Sequence, residues 1–160
     1  SILGNVRMGK PDATDEEVLA ALRAAQCTDI IEKFPDGVHT VIGSQGIHLS
    51  GGEAQRLAIA RAMLKGAPVL ILDEATAFAD SDNETKVQAA FNELAKGRTV
   101  IMIAHRLSTV VNADRIYVLE DGHLAEEGSF AELSERKDSL FGAMWRDYQQ
   151  SVRWKVEKEV

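Results

Sequence analysis

The sequence predicts an α/β fold in which helices come first and a parallel sheet follows. Three observations predict it. The apolar runs at residues 69–72 and 99–104 are short and unbroken, the pattern of strands buried on both faces of a parallel sheet. Segments with helical periodicity lie before and between them. Asp121 and Gly122 mark a two-residue hairpin turn near the end. Helices, then strand, helix, strand, helix, strand and hairpin is the order of an α/β domain.

Each element has a local cause. Ser1, Ile2, Leu3, Gly4 and Asn5 open the chain with no initiator Met, no signal peptide and no N-terminal cap, so Ser1 is expected to lie inside a longer protein. Thr14 and Glu17 form a capping box, which opens a helix to about Gln26 with Val18, Leu19, Leu22 and Ala25 on one face. Residues 35–48 begin at Pro35, are rich in Gly and predict a loop. A second helix runs from Gly51 to Lys65, where Gly66 suits a left-handed cap and Pro68 blocks continuation. After the strand at 69–72, Ser81 and Glu84 make another capping box for a helix ending at Lys96 and Gly97. Residues 99–104 give a second buried strand and 115–119 a third. The hairpin turn then returns residues 123–127 antiparallel. Ser129 and Glu132 cap a further helix, and a more aromatic helix continues to about Tyr148. Beyond Gln150, Val152, Trp154 and Val156 alternate with charges, which leaves strand, docked arm and disorder open. The expected division is a helical subdomain at 1–66, part of an α/β core at 67–150 and a tail at 151–160.

Composition excludes several classes. Hydrophobic residues are 45% and charged residues 27%, enough to bury a core. The net charge of −7 disfavours a nucleic-acid partner, because phosphate contacts need excess Lys and Arg on one face. Cys27 is the single cysteine, so neither a disulfide framework nor a thiolate metal cluster can form, and a reducing compartment is expected. Its place at a helix boundary suits a small core residue better than a catalytic thiol. No apolar run approaches the roughly 20 residues needed to cross a bilayer.

Four sites carry chemistry. Leu49, Ser50, Gly51, Gly52 and Glu53 open the second helix. Two glycines let a ligand approach the backbone, and free N–H groups with the helix dipole favour an anion. An ordinary Ser cap explains those five residues equally well. Asp73 and Glu74 end a buried strand, where α/β folds bind ligands. One carboxylate can hold Mg²⁺ through water and the other can orient or deprotonate a water. His105 follows the second strand and can donate to a phosphate oxygen, although a single His there is more often structural. Asp80 lies in the loop after the acidic pair.

In this order and spacing, the motifs resemble the ATP-binding cassette (ABC) ATPases over most of the chain, from Ser1 to about Glu135. The resemblance implies a partial P-loop NTPase-like domain whose cofactors are ATP and Mg²⁺. It implies roles residue by residue. Leu49 to Glu53 matches the signature motif, with Ser50, Gly51 and Gly52 on the γ-phosphate of an ATP held by a second nucleotide-binding domain. Asp73 matches the aspartate near Mg²⁺, Glu74 the catalytic glutamate, His105 the switch histidine and Asp80 the D-loop aspartate at the dimer interface. The run Ala104, His105, Arg106, Leu107, Ser108 and Thr109 is similar to exporters more than importers. The resemblance therefore implies transmembrane domains as partners and a place at the cytoplasmic face of the cell membrane.

The chain departs from the family pattern in places. Ala77, Phe78, Ala79 and Asp80 stand where Ser-Ala-Leu-Asp is usual, and Gly43, Ser44, Gln45 and Gly46 lack the usual Glu of the preceding loop. Glu53 replaces the commoner Gln. The pattern of a phosphate-binding P-loop has one near match, residues 4–11, which fails because Pro11 carries no hydroxyl and no strand precedes it. In exporters the segment starting at Ser1 resembles the stretch just after the Q-loop, so the P-loop is expected upstream and the isolated chain is expected to be inactive. Two alternatives differ in class. An ABC ATPase of chromosome organisation or DNA repair would carry heptads before the signature, where this chain has a short helix and a Gly-rich loop. A non-enzymatic truncated module would donate the signature motif alone.

Overall fold

Ser1 caps the first helix, α1 (Ile2–Arg7), by accepting the Gly4 N–H at 3.1 Å. This corrects the expectation of an uncapped start: a Ser hydroxyl one residue ahead of a helix reaches the N–H three residues on. The computed structural model describes residues 1–73, 81–104 and 107–158, and they fall into two compact units, Ser1–Ile103 and Ala104–Val160.

In the first unit, α1 takes up residues 4–7 of the near match to a P-loop, which is thus no strand-fed loop. The helix α2 (Asp15–Ala24) begins with the expected reciprocal capping box of Thr14 and Glu17. After it come α3 (Thr28–Glu32) and a 3₁₀ turn at Gly37–His39, the one helical interruption in the expected loop. The helix α4 (Gly51–Lys65) ends in Gly66 at φ 68°, the left-handed cap that Gly adopts at no steric cost. Apolar faces of these helices make one core: Ile2, Val6, Val18, Leu22, Ala25, Cys27 and Ala60 are fully buried. Burying each of its larger aliphatic side chains contributes about 2 kcal/mol.

The strand β1 (Val69–Asp73) leads through residues outside the description to α5 (Ser81–Ala95), and β2 (Thr99–Ile103) pairs parallel with β1. Right-register pairs are Val69 with Thr99, Ile71 with Ile101 and Asp73 with Ile103. The composition of these strands suits burial on both faces, but one face is exposed. Leu70 is buried and Leu72 and Met102 are half-buried, but Val69 is 50% exposed, Ile71 71% and Ile101 52%. Side chains alternate across a strand, so one face of this two-stranded sheet meets the helical core and the other is bare. The capping box of Ser81 and Glu84 involves a side chain outside the description; α5 itself forms where expected.

In the second unit, a 3₁₀ turn (Leu107–Val110) precedes β3 (Ile116–Glu120), which pairs antiparallel with β4 (His123–Gly128). The expected third buried strand is corrected too. It sits in its own two-stranded hairpin sheet, with Ile116 and Val118 inward and Tyr117 and Leu119 exposed. Asp121 at φ 48° and Gly122 at φ 79° both take the positive angles of the mirror-image turn that suits twisted strands. Ser129 and Glu132 box the start of α6 (Phe130–Glu135) as expected. The helix α7 (Leu140–Lys158) packs Phe141 and Trp145 edge-on to Phe130. It runs on through the tail, so the backbone to Lys158 is helical and the strand reading of residues 152–156 is corrected. Three alternating apolar residues are too few to impose a period of two on a helix already propagating.

The start of α7 is held from β4. Glu126 accepts the Leu140 N–H at 2.9 Å, the Phe141 N–H at 3.1 Å and the Ser139 hydroxyl at 2.9 Å. These backbone bonds outweigh partial burial and hold its carboxyl below the usual range.

Candidate phosphate-binding site at the start of α4

Four N–H groups at a helix start lack partners in the helix. In α4 they belong to Ser50, Gly51, Gly52 and Glu53. The Ser50 hydroxyl accepts the Glu53 N–H at 3.2 Å, and the Glu53 carboxylate accepts the Ser50 N–H at 2.8 Å. This reciprocal box uses two of the four and leaves those of Gly51 and Gly52 at the positive end of a 15-residue helix. The Ser50 hydroxyl keeps its own proton to donate. Ser50 is thus an N-cap, and its box does not use the N–H groups of Gly51 and Gly52. Ser50 and Gly51 are exposed, while Leu49 is half-buried against the core and anchors the approach to them.

The two glycines differ. A Cβ on Gly51 would meet nothing within 4 Å, whereas one on Gly52 would lie 2.7 Å from the Asn83 Cβ. Gly52 thus lets α4 and α5 approach, and Gly51 faces open space.

Behind the motif lies a charged network that sequence reasoning missed. Arg56 is 1% exposed. Its guanidinium donates to both Asp29 oxygens, at 2.7 and 3.2 Å, to Asn83 Oδ1 at 3.2 Å and to the Gln26 carbonyl. Lys86 Nζ adds 2.6 Å to Asp29. Partial burial works against the Asp29 charge, but Arg56 and Lys86 pull its carboxyl down to about 2. This network joins α3, α4 and the first turns of α5. Arg56 stood beside the motif in the sequence, but its partner lies 27 residues away and nothing local marks it.

Glu53 is also paired. Lys33 Nζ lies 3.0 Å from its second oxygen, and the Glu53 side chain is only 11% exposed. Burial opposes its charge, yet the Ser50 N–H and the Lys33 ammonium keep the carboxyl below its ordinary value.

Asp73 closes β1 opposite Ile103, at the carboxyl end of both strands, and is exposed. That is where open α/β sheets present ligands. Among the described residues no group of three or more His, Cys, Asp and Glu side chains could hold a metal ion. One strand-end carboxylate fits a hydrated Mg²⁺ that brings its other ligands with a phosphate substrate, as Mg²⁺ commonly does. Glu74, Asp80 and His105 lie outside the described residues, as do Ala77, Phe78 and Ala79. Cys27 is fully buried at the N-cap of α3, and burial pushes its thiol up to about 12. That is a core residue, not a nucleophile.

The chain is similar to known proteins in sequence and fold. The family model described as ABC transporter matches residues 5–77, which include the start of α4 and the acidic end of β1. The chain is 48% identical over 152 residues to a heavy metal tolerance protein of Schizosaccharomyces pombe, covering 95% of this chain and 18% of that protein. It is 54% identical over 136 residues to an ATP-dependent lipid A-core flippase of Chromobacterium violaceum, covering 85% of this chain and 23% of that protein. A solved bacterial Atm1-family ABC exporter with ATP bound superposes with a TM-score of 0.80 at 43% identity, covering 92% of this chain and 26% of that one. The chain thus spans about a fifth to a quarter of the length of these relatives. A flippase and an exporter are among the named relatives, which does not favour the chromosome-organisation alternative. Residues 5–77 thus match the ABC transporter family, and the chain as a whole is similar to the nucleotide-binding domain of ABC exporters.

Proposed function

We propose that the intact protein hydrolyses ATP and couples that reaction to transport through attached membrane helices. The Gly51 and Gly52 N–H groups, left over by the capping box of α4, are the observation that carries this. Together with the Ser50 hydroxyl they receive the γ-phosphate of an ATP held by a second nucleotide-binding domain. Leu49 seats the loop, and Glu53 completes the cap that fixes the geometry. In the chain's own site, Asp73 holds Mg²⁺ through water. Glu74 orients the attacking water and takes its proton, His105 donates to the γ-phosphate, and Asp80 lies at the interface between the two domains. Catalysis is then positioning plus charge stabilisation of the transferring phosphoryl group. Functionally, residues 1–66 act as the helical subdomain that delivers the signature motif, 67–150 as part of the catalytic core and 151–160 as its tail. The partners are a second nucleotide-binding domain and transmembrane domains, at the cytoplasmic face of the membrane; nucleic acid is not among them. Among the described residues no helix is long and apolar enough to cross a membrane, so spans would come from elsewhere in the protein.

The test is ATP turnover by the natural full-length protein that carries these residues. Glu74→Gln should lower it by roughly 100-fold or more, the scale of losing a general base. Turnover unchanged by that substitution would remove Glu74 from the chemistry.

A further inference from the structure

Glu53 creates an electrostatic conflict at the start of α4. Its carboxylate caps Ser50, which places a negative charge within the first turn of the helix that the proposed function needs to receive a phosphate. The side chain is 11% exposed, so water screens that charge poorly. A neutral Gln would cap without this charge. Lys33 lies 3.0 Å from the same carboxylate. It stands at the C-cap of α3, with its ammonium 5.4 Å from the centre of the Phe34 ring, which gives it a second attraction in that place. Lys33 itself is 55% exposed. An ion pair this open adds little to folding stability, so stability is a poor reason for it.

We propose that Lys33 is a positioning residue that neutralises Glu53, so that the signature helix presents a positive end to the incoming γ-phosphate. The pair of Lys33 and Glu53 does in this chain what an uncharged Gln does alone. The inference rests on the phosphate-binding role proposed for Ser50, Gly51 and Gly52.

A double-mutant cycle in the natural full-length protein tests it, read as ATP turnover and as melting temperature. Lys33→Met should lower turnover at saturating ATP roughly fivefold, the scale of one charge acting near a protein surface, with little change in melting temperature. Lys33→Arg, which keeps the charge, should retain turnover. In the Glu53→Gln background, Lys33→Met should cause no further loss. A purely structural role for Lys33 predicts an equal loss in both backgrounds, and that result would overturn the proposal. So would full turnover in Lys33→Met. Should Lys33→Met fail to fold, Lys33→Gln provides the same comparison. Gly51→Asp, which puts a carboxylate into the open space at the helix start, separates the two claims. If it leaves turnover intact, the phosphate-binding role itself is wrong, and the inference falls with it.

Discussion

A Cβ on Gly52 would sit 3.0 Å from Asn83 Cγ as well as 2.7 Å from its Cβ, while one on Gly51 would touch nothing. Gly52→Ala therefore forces α4 and α5 apart and should cost about 1–3 kcal/mol, the usual range for overpacking. Gly51→Ala should leave the melting temperature of the chain nearly unchanged and still impair turnover in the full-length protein. Thermal melting of both variants checks the first half, and equal destabilisation would refute the distinction. A glycine pair in a sequence signals close approach but not what approaches. Here one glycine accommodates a helix within the chain and the other is open to the outside. The same limit applies to Glu53: it stands three residues after Ser50, the spacing of the capping box that the structure shows, but Lys33 lies 20 residues away and has no local signature.

At the scale of elements, the Arg56–Asp29 pair fastens α3 to α4, and Asn83 and Lys86 extend it to α5. Arg56 is buried, so loss of its carboxylate partner strands a charge. Asp29 is 43% exposed and Arg56 keeps Gln26 and Asn83, so Asp29→Asn should cost about 1–2 kcal/mol at neutral pH, less than for a fully buried pair. The pH dependence has a definite sign. Asp29 titrates at about 2 when folded and near 4 when unfolded, so the unfolded chain takes up the proton first as pH falls. Its contribution is present above about pH 4 and is lost as pH drops toward 2. Chemical denaturation across that window should show stability falling in the parent chain and a flatter profile in Asp29→Asn. Parallel profiles would contradict this assignment. Elements set by short-range chemistry were legible: the boxes of Thr14 with Glu17 and Ser129 with Glu132, the Gly66 cap and the turn at Asp121 and Gly122 all formed as expected. The cap of α7 was not, because Glu126 reaches it from β4 across 14 residues. Nor was the extension of α7 to Lys158, since the tail's apolar spacing favours no single period.

At the scale of the molecule, burial is a property of everything packed around a strand. The run at residues 69–72 has the composition of a strand covered on both faces, yet Ile71 is 71% exposed. The helices of the first unit cover only the side on which Leu70 lies. Composition reports the environment a segment is suited to, and these residues supply half of it. The chain carries the motif at the start of α4 and the acidic end of β1, but its one near match to a P-loop pattern, residues 4–11, begins inside α1 and has no strand before it. A triphosphate would lack its main cradle.

The most direct test of this account is ATP turnover by the purified 160-residue chain, with Glu74→Gln as the control. The account predicts no turnover above the control, because in the proposed function Ser50, Gly51, Gly52, Asp73 and Glu74 would act on a nucleotide held by a P-loop. Turnover by the chain alone that disappears in Glu74→Gln would contradict it, and would mean that these residues bind and cleave ATP without a P-loop.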